Sequence, residues 1–247
     1  MAATKIEWTE KTWNPVTGCS YVSEACQNCY AKTMARRLQK MPGSADKYRN
    51  GFKPTIHPES LNEPYEWKKP CMVFVVSMGD LFHEEVPLSF IDKVMNVIED
   101  NPQHTFQVLT KRAERMAEYF TYDRDVPKNV WLGVTCESSR HYDRIFQLRR
   151  VIGTVRFLSC EPLLGDMADI NLTNIDWVIT GGESGVRARR TPVQWFRNIR
   201  DACKRSNTPF FFKQWGTWGP DGIKRGKKEN GCLLDGEEWK QMPKGIY

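Results

Sequence analysis

FQVLTKRAERMAEYFTYDRDVPKNVWLGVTC (residues 106–136) opens and closes on short apolar runs, with an amphipathic, helix-like stretch between them. FQVLT (106–110) and VWLGVTC (130–136) are nearly continuous in hydrophobicity and do not alternate. Runs of that kind read as strands buried on both faces, the pattern of parallel sheets. A strand, a helix and a second strand in that order form a βαβ unit.

The same pattern extends in both directions. Further runs are MVFVVSM (72–78), VRFLSCE (155–161), DWVITGG (176–182) and PFFFKQW (209–215). Helix candidates separate them: 89–100, 111–120, 141–151 and 192–206, with Asp80, Ser89 and Thr191 as caps or first-turn residues. A weaker first strand falls within IEWTEKTWNP (6–15). The expected class is α/β, a parallel sheet or barrel of about six or seven strands. Residues 32–70 read as a long polar insertion, and 217–247 as a loop or short hairpin over the barrel.

The chain has 247 residues, 40% hydrophobic and 27% charged, enough to bury a sizeable core. MAATKIEWTEKTW at the N-terminus lacks an apolar signal core, and no run approaches a membrane span, so a soluble, cytoplasmic protein without membrane partners is expected. In that setting eight cysteines are free, metal-bound or catalytic rather than disulfide-bonded. A formal charge of +6 permits an acidic partner without requiring one.

Polar residues gather where the strands end: Ser77 and Asp80, Thr110 to Arg112, Thr135 and Glu137, Ser159 and Glu161, Glu183 and Ser184, Lys213 and Gln214. Any strand can end on a polar residue. Six in succession indicate a ligand-binding rim at the C-terminal ends of a βα barrel.

GCSYVSEACQNCYA (18–31) places Cys19, Cys26 and Cys29 on the loop after the first strand, in the spacing C-x6-C-x2-C. Three readings stand. An iron–sulfur cluster held by three thiolates leaves one iron open to a ligand. A structural zinc needs a fourth ligand, such as His57, Cys71 or Cys232. Unliganded cysteines can serve as small core residues, which accounts well for Cys71, Cys136, Cys160 and Cys203. It accounts poorly for three cysteines in a polar loop, and the first reading is preferred. Gly18 permits a close backbone approach there.

A three-cysteine loop after the first strand of an incomplete βα barrel resembles the radical S-adenosylmethionine superfamily. More closely, the chain is similar to a phage-associated three-Cys-motif family of unknown function. The matching segments are 13–31, 75–87, 106–116, 130–138, 155–165, 175–185 and 209–216. Most superfamily members use C-x3-C-x2-C with an aromatic residue before the third cysteine; here the first gap is six, Asn28 holds the aromatic position, and Tyr30 follows the third cysteine.

The resemblance implies a [4Fe-4S] cluster on Cys19, Cys26 and Cys29, with S-adenosyl-L-methionine as cosubstrate and an external electron donor such as flavodoxin. It implies an incomplete parallel (β/α) barrel over 1–216 and a C-terminal extension over 217–247. By position Ser77, Gly79 and Asp80 would meet the cosubstrate's amino group, Lys111 or Arg112 its carboxylate, and Thr135 and Glu137 its ribose. Ser159, Glu161 and Tyr30 would face the same cavity. His83, His141 and Lys213 are candidate proton donors, although a lone histidine near a helix start is commonly structural. Glu183, Ser184, Arg187, Gln214 and Trp215 would lie near substrate. Basic clusters at 187–190, 197–205 and 224–228, with Trp195, Trp215 and Trp218 among them, read either as a nucleic-acid surface or as a solvated face. The phage context favours a pyrimidine base in DNA as substrate, in a phage-infected host. Rival expectations are a zinc-stabilised nucleic-acid-binding protein without catalysis, and the same radical chemistry on a peptide or small metabolite.

Overall fold

Non-alternating apolar runs can leave water only if both faces of each strand are covered, and each of them forms a strand. The computed structural model describes residue 4 and residues 6–243. In chain order the elements are β1 (Lys11–Trp13), β2 (Val16–Thr17), α1 (Tyr30–Leu38), β3 (Thr55–Ile56), β4 (Met72–Val75), α2 (Leu88–Asp100), β5 (Thr105–Thr110) and α3 (Ala113–Glu118). There follow β6 (Val130–Thr135), α4 (Tyr142–Arg150), β7 (Val155–Cys160), β8 (Trp177–Gly181), α5 (Val193–Ser206), β9 (Phe210–Gln214), α6 (Lys227–Asn230), β10 (Leu233–Leu234) and β11 (Glu237–Glu238). Seven strands share one sheet in the order β1-β4-β5-β6-β7-β8-β9. Its sequential order is what strand–helix–strand crossovers produce. Contacts divide the chain into two compact units: residues up to 132 with 151–154, and 133–150 with 155 onward.

In the first unit β1 pairs parallel with β4, and β4 parallel with β5. Trp13, Val73, Val75, Phe106 and Val108 are fully buried there. The rings of Trp13 and Phe106 meet edge to face at 5.8 Å, and the Trp13 indole donates to the Ser60 carbonyl at 2.7 Å. Helix α2 buries Phe90, Ile91, Val94, Met95, Val97 and Ile98, an apolar face at helical spacing. Its N-cap is Pro87, so Ser89 lies in the first turn.

Three expectations change here. The stretch read as a polar insertion contains α1 and β3, and β3 pairs antiparallel with β2. The buried stripe of α1 is only Ala31 and Ala35, too thin to stand out among Lys32, Arg36 and Arg37. Asp80 caps no helix, because α2 begins eight residues later. Thr191 lies outside α5, whose N-cap is Pro192, and its hydroxyl donates to the Leu163 carbonyl.

In the second unit β7, β8 and β9 run parallel. Trp177 packs against Phe157 and Phe211, and Phe196 of α5 packs against Phe212 and Trp215. The chain after β11 runs along β9: the Phe212 amide donates to the Trp239 carbonyl at 2.8 Å and the Gln241 amide to the Phe210 carbonyl at 3.1 Å. The extension therefore contains the short hairpin β10–β11 and also covers an edge that would otherwise offer unpaired backbone groups. Its residues 244–247, and residues 1–3 and 5 of the N-terminal segment, lie outside the described residues.

Two glycines set where the cysteine loop begins. Gly18 has φ +82°, and a Cβ there would stand 2.1 Å from the Lys53 carbonyl oxygen. A Cβ on Gly79 would stand 2.7 Å from the Gly18 carbonyl oxygen. The two residues form a parallel bridge, with the Gly18 amide donating to the Met78 carbonyl at 2.9 Å. Backbones this close leave no room for a side chain on either. Gly18→Ala is expected to lower unfolding free energy by at least about 2 kcal/mol in urea titration.

His57, His83 and His104 are buried in the first unit. His57 Nε2 meets the Thr17 hydroxyl at 2.8 Å, and His104 Nε2 meets the Trp67 carbonyl at 3.1 Å. Burial lowers the pKa of both imidazoles. Below about pH 6.5 the unfolded chain takes up protons that the folded chain resists. Their contribution is therefore whole above that pH and is lost as pH falls toward the depressed folded-state values. Urea unfolding is expected to show lower stability at about pH 5.5 than at about pH 7.5, with a slope of at most about 1.4 kcal/mol per pH unit per histidine. His104→Gln is expected to flatten that dependence.

Candidate metal centre

The loop that carries the three cysteines is anchored to the end of β4. The Val76 amide donates to the Trp13 carbonyl at 2.7 Å. Asn14 Oδ1 accepts from the Ser77 hydroxyl at 3.2 Å and the Met78 amide at 3.0 Å. Val76 is buried with φ +60°, an uncommon conformation for a β-branched residue. Such strain persists only where surrounding structure imposes it.

From Gly18 onward the loop places each thiol differently. The Cys19 amide donates to the Phe52 carbonyl at 3.1 Å. Cys26 lies in the 3₁₀ turn Glu24–Asn28, and Cys29 is the N-cap residue of α1. All three are free and half-buried. Among the described residues their sulfurs do not gather within 4.8 Å of one another. A tetrahedral zinc with bonds of about 2.3 Å would draw its sulfurs to about 3.8 Å. Thiolates on separate irons of a cluster stand farther apart. The expected fourth zinc ligands are engaged elsewhere: His57 with Thr17 and Glu59, Cys71 with His104 Nδ1 at 3.4 Å, and Cys232 with Glu238.

Beside Cys19 lies a buried ionic network. Asp80 Oδ1 accepts from the Thr110 hydroxyl at 2.6 Å and the Phe82 amide at 3.1 Å. Its Oδ2 accepts from the Lys111 amide and from Arg112 Nη1, both at 3.1 Å. Arg112 Nε donates to both Glu84 oxygens at 2.9 Å, and Nη2 to the Ser20 hydroxyl at 2.8 Å. Nη1 also points at Cys19 Sγ, 3.4 Å away. Burial first, and the Asp80 carboxylate second, push the Cys19 thiol up to about 11; Arg112 opposes them. His83 Nδ1 accepts the Glu85 amide, so its Nε2 carries the proton that faces Ser20 Oγ at 2.8 Å. Burial lowers the His83 pKa, which keeps the ring neutral.

The remaining candidates of the first unit are placed as follows. The Tyr30 hydroxyl donates to the Ser77 carbonyl at 2.5 Å. Asp80 and Arg112 satisfy each other, whereas the Lys111 side chain is half-buried. The network thus joins Cys19, Asp80 and Arg112, and holds His83 through Ser20.

In the second unit Glu137 is fully buried, with Arg144 Nη1 at 2.9 Å and His141 Nε2 at 3.6 Å. The same Arg144 Nη1 donates to the Thr135 carbonyl at 2.9 Å. Glu161 faces Lys213 Nζ at 3.3 Å, and a Cβ on Gly181 would stand 2.7 Å from Glu161 Oε1. Ser159 is buried and its carbonyl accepts the Cys136 amide. Glu183 accepts the Arg189 amide and guanidinium, while Gln214 Nε2 donates to the Ser184 hydroxyl. Arg187 is exposed. Trp215 is a core residue: its ring packs on Phe196 and Phe212 and its indole donates to the Leu233 carbonyl. An aromatic at a strand end reads as a rim contact until the helix that covers it is known.

Sequence reading missed Asn14, Ser20, Glu84 and Arg144, which hold the candidates in place. Only Asn14 carried a signal, as the polar residue inside WNP at the end of β1. The others act through contacts between residues distant in the chain.

The donor set fits an iron–sulfur cluster. Three thiols are free, half-exposed and unclosed by a fourth protein ligand among the described residues, and a fixed cation faces one of them.

The family described as "Protein of unknown function (DUF5131)" matches residues 3–243. No curated protein matches the sequence. Two structures of spore photoproduct lyase variants each align with a TM-score of 0.50 and 14% identity, covering 90% of this chain and 69% of theirs. At that identity the likeness is one of fold. The fold is α/β, with a seven-stranded parallel sheet of the incomplete (β/α) barrel kind that those structures share. The chain belongs to the DUF5131 family.

Proposed function

We propose that this chain is a radical S-adenosylmethionine enzyme, with a [4Fe-4S] cluster on Cys19, Cys26 and Cys29 and a nucleic-acid base as substrate. The observation that carries the reading is the trio itself: three free thiols on the loop after β2, one of them facing a buried guanidinium. When bound, the cluster supplies one electron to S-adenosylmethionine, which yields a 5′-deoxyadenosyl radical for hydrogen abstraction. The hard chemistry belongs to the cofactor, and the chain supplies position, charge and exclusion of water.

The first unit assigns its residues by what they have left to offer. Arg112 is committed to Asp80, Glu84 and Ser20. Lys111 is therefore the cation for the cosubstrate carboxylate, as a charge-assisted donor. Ser77 and Gly79 offer backbone groups at the end of β4 toward the amino group. Neutral His83 can pass a proton through Ser20. In the second unit Thr135, Glu137, Ser159 and Glu161 are assigned to the ribose and adenine side, and Lys213, Glu183, Ser184, Arg187 and Gln214 to substrate. An external one-electron donor such as flavodoxin completes the cycle.

A pyrimidine in phage DNA is the substrate we assign, on the sequence resemblance. A second reading, the same chemistry on a peptide or small metabolite, has its own support. Four arginines of the second unit's basic clusters meet carboxylates of the chain itself: Arg197 and Arg200 meet Asp235, Arg225 meets Asp221, and Arg189 meets Glu183. Paired arginines have less to give a phosphate backbone. No helix among the described residues is long and apolar enough to cross a membrane.

Anaerobic reconstitution tests the reading. The expected product binds about four irons per chain and absorbs broadly in the visible. With a strong reductant it converts S-adenosylmethionine to 5′-deoxyadenosine, faster with substrate DNA. Cys19→Ala, Cys26→Ala and Cys29→Ala are each expected to lose most of the iron and all of the cleavage. One zinc per chain without iron would overturn it, and indifference to DNA would favour the second reading.

A further inference from the structure

The proposed cluster accounts for three cysteines and leaves one costly feature without a role. Arg112 is 7% exposed, and its guanidinium spends every nitrogen on a fixed partner. Burying a cation beside a carboxylate adds little to stability by itself, because desolvation offsets the attraction. The arrangement does aim something: Nη1 lies 3.1 Å from Asp80 Oδ2 and 3.4 Å from Cys19 Sγ.

Resting on the reading of the trio as cluster ligands, we infer that Arg112 is a positioning residue that acts on the cluster through the Cys19 sulfur and raises its reduction potential. Reduction adds one negative charge to the cluster and its thiolates. An N–H donor on a ligating sulfur stabilises that charge, and hydrogen bonds to sulfur are among the levers that set cluster potentials. Asp80 and Glu84 keep the guanidinium from turning away. Thr110 holds the arrangement from below, accepting the Arg112 amide at 2.9 Å while donating to Asp80. Removing the guanidinium deletes the donor and uncovers the Asp80 charge, so both consequences push the potential down.

Lysine cannot replace this fork. A single ammonium on a flexible stem reaches Asp80 or Cys19, but does not satisfy Asp80, Glu84, Ser20 and the sulfur together. Arg112→Lys therefore keeps the charge and loses the aim.

The test is a redox titration of the reconstituted protein, following the reduced cluster by electron paramagnetic resonance. Arg112→Lys at equal iron content is expected to show a more negative midpoint potential than the wild type, and Arg112→Gln a larger shift. Coincident midpoints would overturn the inference. A variant that folds with an unchanged melting curve yet loses iron also supports it, since the contact then governs where Cys19 sits. Should either variant fail to fold, the wild type grown on ¹⁵N-arginine answers directly. Its reduced cluster is expected to show hyperfine coupling to an arginine nitrogen, and a reduced cluster without that coupling would overturn the inference. A wild type that takes up no iron would instead overturn the cluster reading itself.

Discussion

One buried carboxylate holds the first unit's candidate site together. Asp80 accepts four hydrogen bonds: from its own turn through Phe82, and from the residues ending β5 through Thr110, Lys111 and Arg112. Through Arg112 it reaches Ser20 and Cys19, on a loop some sixty residues earlier in the chain. Two strand ends and the cysteine loop thus share one charged hub. Breaking such a pair by removing one partner costs about 3–5 kcal/mol, because the survivor is left charged and dry. An apolar pair of the same shape would hold the strands equally well. It would not hold a cation against a sulfur, which is why the ionic solution is better explained by the site than by stability.

The strands were legible because parallel strands buried on both faces leave a one-dimensional signature. Five of the six runs from 72–78 to 209–215 contain their strand, trimmed by one to three residues, and β5 begins one residue before its run, at Thr105. The first strand was weaker because only three of its residues pair. Helix α1 was not legible, since two alanines suffice to seat it against Tyr48 and Met78, and alanine carries little hydropathy. The trio stands out in the sequence because three thiols in a polar loop have few structural uses. For Asp80 the sequence offers a contact to the cosubstrate's amino group or a helix cap; no helix begins there, and the Arg112 that it meets lies thirty-two residues on.

The basic clusters teach a related lesson about counting charge. RNIRDACKR (197–205) looks like a phosphate-binding face in sequence, but Arg197 and Arg200 both grip Asp235, a residue with φ +56° in the turn of the β10–β11 hairpin. Folding turns those two arginines into a clasp for the extension, while Lys204 and Arg205 stay exposed. Net charge survives folding, whereas availability does not. By contrast α1, which begins at the third cysteine, presents Lys32, Arg36 and Arg37 exposed on one short helix with no acidic residue among its nine. Any argument for an acidic partner has to weigh which cations remain to be offered.

The Cys19 thiol shows how a site can be built for an occupant. Burial and Asp80 push it up to about 11, so at neutral pH the unligated residue holds its proton. A thiol of that kind is a poor nucleophile and resists adventitious oxidation, both of which follow thiolate character. In the proposed cluster iron would displace that proton, so its binding at this sulfur would be coupled to proton release. Arg112 works for the charged form at the same atom, opposing burial while the thiol is protonated and paired with a formal negative charge once it is not. On the proposed reading the same guanidinium would be of least use to the empty loop and of most use to the loaded one. A side chain retained only to stabilise the bare fold would have the opposite balance.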